Sequence, residues 1–281
     1  MPPEAAGPTE GRPYLLIVRA GDNSLHRHWF EGGAGRNWDL HVSYYGKKAD
    51  PFGPLPDAVS LSREPGPKFI GAADYLEAHP HVFRRYRYIG LPDDDLLATA
   101  AVWNRAFALI EQASAVLGQP SVSHDSYYSH PHVLQRPGLM AREVGFIEQM
   151  APLFEAGFLK RALPSLRANY SSWGIAHLWA AQARTEQSRC LIIDEVAIRH
   201  TRPVGRGELY TLPDGTRIDP RTDLRTLLKQ YRLKRRREGT KALLTRGGVW
   251  QRAVVACLGS DTLAAWRALN AGTFRRKGLR R

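Results

Sequence analysis

Three consecutive carboxylates, Asp93, Asp94 and Asp95, end an apolar, β-prone run that closes with Tyr88-Ile89-Gly90-Leu91-Pro92. Carboxylates side by side repel one another. A divalent cation relieves that repulsion, and hard carboxylate oxygens suit Mg²⁺ or Mn²⁺. An acidic helix start is the competing reading, because Asp favours the N-cap and the first turn, where it meets the helix dipole. A stretch rich in Ala and Leu follows at once, so both readings fit locally. Strand, acid cluster, helix is also the order in which a parallel sheet presents ligands at its carboxyl edge.

Other chemistry-bearing residues lie at similar boundaries. Arg19 and the loop Gly21-Asp22-Asn23-Ser24 follow the apolar run Tyr14–Val18. Arg19 has the chemistry to pair with a phosphate, and Asp22 to accept from a ribose or base; an ordinary turn with a solvated Arg is the plainer reading. The loop lacks the glycine spacing of a P-loop or a dinucleotide fingerprint, which argues against both. Glu148 lies in an apolar stretch, where a carboxylate needs a site or a cation partner. His124, Asp125, His130 and His132 share a Pro-containing segment without a zinc spacing or a nearby Cys, so substrate hydroxyls or solvent suit them better than zinc. His200 follows an apolar run, a place where a lone His is ordinarily structural.

Elements that would position these residues can be read from the pattern. Tyr14–Val18 is a continuous apolar run, the mark of a buried strand. Trp38–Tyr45 reads as a second strand, residues 51 to 66 as a Pro- and Gly-rich surface connection, and Lys68-Phe69-Ile70 as a short strand before a helix over 71–78. Arg84–Gly90 reads as the strand that delivers the three Asp. Residues 96 to 117 carry apolar residues at three- and four-residue spacing, which predicts one helix ended by Gly118-Gln119-Pro120. Glu143–Pro152 reads as a strand running into a helix whose apolar face is Phe154, Phe158, Leu159 and Leu163, stopped at Pro164. Ser171 and Ser172 are expected to cap the next helix. Cys190–Asp194 is a further buried strand.

The chain has 281 residues, enough for a large α/β domain with appendages, and 43% hydrophobic residues, enough for a sizeable core. Net charge is +13, which predicts attraction to anions without choosing among nucleic acid, anionic lipid and phosphorylated small molecules. The two cysteines, Cys190 and Cys257, imply no disulfide framework and suit a reducing compartment. Residues 1–12 read as a disordered tail without the basic and apolar regions of a secretory signal. No run reaches the roughly 18 apolar residues of a membrane span. These features point to a soluble cytoplasmic protein, able to visit the inner face of a membrane. Beyond residue 206 the chain turns basic, with Lys234-Arg235-Arg236-Arg237 and a terminal Arg275-Arg276-Lys277-Gly278-Leu279-Arg280-Arg281. Helices are expected over Thr222–Glu238, Val249–Cys257 and Asp261–Leu269. The basic region suits an anionic membrane surface or nucleic-acid phosphates. Nothing in it matches a motif for sequence-specific nucleic-acid reading.

Taken together, these segments resemble the uncharacterised family numbered 707 among the domains of unknown function, itself similar to GT-A nucleotide-sugar glycosyltransferases. The resemblance covers roughly residues 13 to 205. It is carried by Arg19 with Gly21–Ser24, Tyr44-Tyr45-Gly46, Pro92–Asp95, Phe146–Pro152, Trp173-Gly174, and Ile193-Asp194-Glu195 through His200. It implies an α/β, GT-A-like three-layer sandwich with a mixed, mostly parallel sheet, followed by a basic, mainly helical extension over 206–281. It implies a metal-dependent glycosyltransferase that moves a sugar from a UDP- or GDP-sugar donor to a glycan or glycolipid acceptor, with Mn²⁺ or Mg²⁺ as cofactor. The implied metal ligands are Asp93, Asp95 and His200, and the implied nucleotide-binding set is Arg19, Asp22, Ser24, Asp39, Lys68, Asp93 and Asp94. Relatives carry an acid two residues after the Trp-Gly pair; here that position is Ala176, followed by His177. Three readings stay open: Glu148 or Asp194 is the base, His177 substitutes for it, or the chain is a catalytically degenerate binding module that docks to an acidic polymer or membrane.

Overall fold

The computed structural model describes residues 11–32, 35–49, 59–63, 66–203, 210–212, 214–233, 240–245 and 250–252. The strands are β1 (Tyr14–Ala20), β2 (Trp38–Tyr44), β3 (Val59–Arg63), β4 (Tyr88–Gly90), β5 (Leu96–Leu97), β6 (Leu117–Val122), β7 (Leu139–Val144), β8 (Leu153–Glu155), β9 (Cys190–His200), β10 (Thr240–Thr245) and β11 (Trp250–Arg252). The helices are α1 (Lys68–Ala78), α2 (Val82–Arg85), α3 (Ala100–Gln112), α4 (Ala156–Ala162), α5 (Ile175–Thr185) and α6 (Pro220–Gln230).

One mixed sheet carries the fold, in the order β11-β10-β7-β9-β6-β8-β4-β1-β2-β3, with β5 paired to β9 off this path. β3, β2, β1 and β4 run parallel, as do β6 and β9. β8 is inserted antiparallel between β4 and β6, and β7 pairs antiparallel with β9. Every residue of β1 and of β2 is buried. That burial explains why β1 is apolar without alternation: helices cover both faces of a parallel sheet.

The alternation of β8 separates the two faces. Leu153 meets the α3 side, where a Cβ on Gly90 would lie 2.7 Å from Leu153 and 3.5 Å from Phe107. Phe154 points the other way, with its ring 4.9 Å from Trp179 of α5, which in turn lies 5.4 Å from Phe69 of α1. On the α3 side Phe107 stacks on Tyr14 at 4.6 Å and Trp103 meets Trp29 at 5.1 Å. The result is a three-layer sandwich.

Several local expectations give way to tertiary context. Lys68-Phe69-Ile70 is the first turn of α1, behind an extended Pro67, and not a strand. The segment 84–90 is split: α2 ends at Arg85 and β4 has only three residues. Part of the expected connection, Val59–Arg63, is the edge strand β3. Gly118-Gln119-Pro120 lies inside β6 instead of ending a helix. Gly118 is admitted because a Cβ there would stand 2.8 Å from Ile110 and 3.0 Å from the Leu191 carbonyl. Pro120 is admitted because the ladder to β9 shifts register between Pro120 and Ser121, so its missing N–H is tolerated at an irregularity. Phe154 belongs to β8, and Pro164 opens a 3-10 turn that continues α4. Neither Ser171 nor Ser172 caps α5; Gly174 does, at φ 96°.

The described residues beyond 206 continue the same sheet. β10 pairs antiparallel with β7, and β11 with β10. Trp250–Arg252 is therefore a strand where a helix was expected. The helix expected over Thr222–Glu238 is α6, which ends at Gln230 and packs on α5 with Leu227 buried. The segments Lys234–Arg237 and Asp261–Leu269 lie outside the described residues. Among the described residues, no helix is long and apolar enough to cross a membrane.

Candidate metal centre

The acid cluster leaves β4 in extended form. Leu91 N–H donates to the Pro152 carbonyl at 2.9 Å and Asp93 N–H to the Met150 carbonyl at 2.7 Å. The chain then enters β5, whose Leu96 stands opposite His200 at the end of β9. Thr201 closes the pairing by donating to the Asp95 carbonyl from its N–H at 3.1 Å and its hydroxyl at 2.8 Å. This short ladder brings the late histidine to the early acids.

Asp93, Asp95 and His200 each offer one ligand atom, and those atoms lie within 4.8 Å of one another. His200 Nδ1 donates to the Tyr127 carbonyl at 2.8 Å, so Nε2 is directed at Asp95 Oδ2, 3.3 Å away. A carbonyl behind a ligand histidine fixes its ring and its tautomer. Burial alone would lower the His200 pKa, but the hydrogen bond and charge of Asp95, with Asp93 beyond, raise it to about 9. Asp95 Oδ1 is buried without a hydrogen-bond partner. A buried carboxylate oxygen with no donor is costly, and a cation would satisfy it. Two carboxylates and one imidazole fit Mn²⁺ well and Mg²⁺ less well, because imidazole suits the softer ion.

Lys68, from the first turn of α1, supplies the balancing charge. Its Nζ donates to Asp93 Oδ1 at 2.6 Å and to the Gln149 carbonyl at 2.8 Å. Burial pulls the Lys68 pKa down against the pull of the three Asp charges. Burial pushes that of Asp93 up against the pull of Lys68.

Glu148 lies in the turn before β8 and is only 8% exposed. Its backbone N–H is held by Gln119 Oε1 at 2.6 Å, from the buried side chain in β6, while its own Oε2 is buried without a partner. Burial pushes its pKa up, opposed by the charges of His130, His132 and His200. A buried carboxyl with a raised pKa beside a cation site has the chemistry of a general acid or base.

The remaining expected residues divide. Asp94 is a brace: it accepts from Gly21 N–H at 3.0 Å and from Arg202 at 3.2 Å, and its carbonyl accepts from Leu25 N–H at 2.7 Å. It ties the loop after β1 to the exit of β9. Arg19 is buried, with donors on Ser43 Oγ and the Gly66 carbonyl at 2.6 Å each. Asp22 stays exposed at the carboxyl end of β1 and accepts from the Tyr44 hydroxyl and from Lys47 N–H. Ser24 Oγ shares a hydrogen bond with His26 Nδ1 at 2.8 Å.

Asp39 is not at this edge. It sits near the amino end of β2, opposite Leu15, and accepts from Arg85 and the Tyr86 hydroxyl at 2.7 Å each. Asp194 is fully buried in a two-pronged ion pair with Arg142, at 2.7 and 3.0 Å, and also accepts from Arg136 N–H. Its oxygens accept three hydrogen bonds and the side chain is inaccessible to solvent, so it does not open onto a substrate. His177 faces Phe146 at 4.8 Å on α5. His124 and His132 share hydrogen bonds with the Gln135 and Phe146 carbonyls, as loop fasteners do.

Sequence reasoning missed Gln119, which anchors Glu148, and Arg202, which braces Asp94. Missed too was Tyr210, whose hydroxyl accepts from Trp173 Nε1 at 3.2 Å and feels the Asp93 charge.

No family model matches the chain, and no curated relative matches it. Among solved structures the chain is similar to S. aureus TarS 1-349 in complex with UDP-GlcNAc, with TM-score 0.49, 10% identity, and coverage of 77% of this chain and 64% of that one. It is similar to a second structure of S. aureus TarS 1-349, with TM-score 0.47, 12% identity and coverage of 67% and 60%. The complex with UDP gives TM-score 0.46, 10% identity and the same coverage of 67% and 60%. The chain thus spans less than two thirds of the length of these structures.

Proposed function

We propose that the chain is a metal-dependent glycosyltransferase using a nucleoside-diphosphate sugar, with a glycan or glycolipid as acceptor. The observation that carries this reading is that ligand atoms of Asp93, Asp95 and His200 lie within 4.8 Å of one another, while Asp95 Oδ1 is buried without a hydrogen-bond partner. The motif resemblance to GT-A transferases points the same way.

In this reading Asp93, Asp95 and His200 hold Mn²⁺ or Mg²⁺. The ion supplies positive charge against the diphosphate that departs as the sugar becomes oxocarbenium-like. Lys68 adds a second cation to the same wall and opposes the upward push of burial on the Asp93 pKa. Asp94 and Arg202 hold the loop after β1 over the site, with Asp22 and Ser24 at its lip. Glu148 takes the proton from the acceptor hydroxyl; burial raises its pKa and so makes the carboxylate a stronger base than a solvated one. Neither Asp194 nor His177 is needed for the transfer.

A second reading has one observation in its favour. Ala176, at the position where relatives carry an acid, is buried in the first turn of α5. A chain without that acid can bind a donor and not turn it over. A thermal-shift screen of nucleoside diphosphates and their sugars, with and without Mn²⁺, tests the site itself. Ligand at about 100 times its Kd stabilises the fold by about 2.7 kcal/mol. A Mn²⁺-dependent shift lost in Asp95→Ala is expected; no shift with any nucleotide in the folded protein would sink the transferase reading. Donor hydrolysis or transfer by the same protein separates the enzyme from the binding module.

A further inference from the structure

A cavity of about 350 Å³ opens beside α5, between the turn after β7 and the end of α6. Phe146, His177, Arg184 and Arg232 line it, with Ala180 and Leu233 between them. Its lining includes none of Asp93, Asp95, Glu148 or His200.

The lining follows from local structure. His177, Ala180 and Arg184 are spaced by three and four residues, so they share one face of α5. The Phe146 ring is tilted over His177 at 4.8 Å. Arg232 reaches the cavity through an unusual helix end. It sits in the left-handed region at φ 52°, and the next residue, Leu233, donates to the Leu228 carbonyl at 2.8 Å. That position is ordinarily glycine, because a Cβ there is disfavoured. Here the turn that requires it carries Arg232 and Leu233 onto the cavity.

The chemistry of this lining is one-sided. Two guanidiniums and an imidazole face the space with an aromatic ring, and no carboxylate is among the described residues around it. The nearby acids are engaged elsewhere: Glu186 with Arg161 at 2.9 Å and Glu143 with Arg189 at 3.0 Å. An aromatic face and guanidinium groups suit a sugar ring that carries an anionic substituent. The cavity is linked along the chain to the proposed base through Phe146. The Phe146 carbonyl bonds His132 Nε2 at 3.1 Å, the His130 and His132 charges act on Glu148, and Phe146 stands two residues before it.

We propose that this cavity is an acceptor subsite and that the acceptor is an anionic glycan, bearing phosphate or carboxylate, whose charged group is held by Arg184 and Arg232. The proposal rests on the transferase reading.

Calorimetric titration of the full chain with three short oligosaccharide probes tests it: one bearing hexose 6-phosphate, one of hexuronate, and a neutral one of equal length. The phosphate and carboxylate probes separate the two sources of charge. Arg184→Ala removes one guanidinium. Arg232→Gly removes the other and relieves the left-handed position, so loss of binding in that variant is not loss of fold. One or both anionic probes are expected to bind wild type and to weaken about tenfold in each variant, with Mn²⁺ and UDP or GDP binding unchanged. Anionic binding that is equal in wild type and both variants, or a neutral probe that binds as well as the charged ones, would overturn the assignment. If Mn²⁺ and nucleotide fail to bind wild type while the charged probe still depends on Arg232, the transferase reading falls and the cavity stands as an anion site.

Discussion

His200 Nε2 stands 3.3 Å from Asp95 Oδ2, and the same ring gives its Nδ1 proton to the Tyr127 carbonyl. In the metal-free chain the Asp95 carboxylate therefore keeps His200 protonated up to about pH 9. A histidine must be neutral to ligate a metal, so binding releases a proton. Mn²⁺ affinity is expected to rise about tenfold per pH unit between pH 6.5 and 8.5. Calorimetry in buffers of different ionisation enthalpy would detect the released proton. An affinity flat across that range would remove His200 from the ligand set.

Glu148→Gln keeps the size of the side chain and leaves the Gln119 bond to the backbone of residue 148 in place. If Glu148 is the base, turnover falls by about 10²–10⁴ while nucleotide and Mn²⁺ binding hold. Equal loss of both would mean that residue 148 holds the donor. Turnover unchanged from wild type would clear it of any role.

Asp194 and Arg142 are both inaccessible to solvent and bonded twice. Removing one partner of such a pair leaves a buried charge and destabilises by about 3–5 kcal/mol. Asp194→Ala should therefore appear as a large drop in urea midpoint, with the Mn²⁺ site intact in the fraction that remains folded. A stable Asp194→Ala protein without turnover would restore Asp194 as a catalytic candidate.

Two buried histidines predict acid lability. Burial lowers the pKa of His26 to about 4, and burial with the charge of His79 lowers that of His41 to about 3. Both are below the ordinary value near 6.5, so the unfolded chain binds these protons first. Stability is then full above about pH 6.5 and declines as pH falls, by about 1.4 kcal/mol per unit for each histidine until its folded pKa is reached. Urea unfolding at pH 7, 6 and 5 measures the slope. His41→Gln should remove about one proton from it, at the expense of the hydrogen bonds to Ser60 and Ser62. A slope unchanged by that substitution would contradict the assignment.

The acid cluster and the apolar run of β1 were legible because each is a local pattern with a local cause. Asp93 and Asp95 stand out because they belong to a run of carboxylates that repel one another, and residues 14–18 because a strand buried on both faces has no polar side. Errors fell where a neighbour overrides propensity. Gly118 and Pro120 read as a helix stop, and they lie in β6 because α3 and β9 press against them. Asp39 and Asp194 have the chemistry of ligands, and Arg85 and Arg142 claim them.

Sequence alone determined that this chain forms a large α/β core, carries a cluster of carboxylates at a strand end and is strongly basic, because composition and periodicity encode burial and charge directly. Only the tertiary structure decided which acids meet which cations. It set the two-residue pairing of β5 with β9 that brings His200 to Asp95, separated a bracing Asp94 from its two neighbours, and opened a basic cavity beside Phe146. Those relations depend on strand order and register between segments far apart along the chain, and no local pattern carries that information.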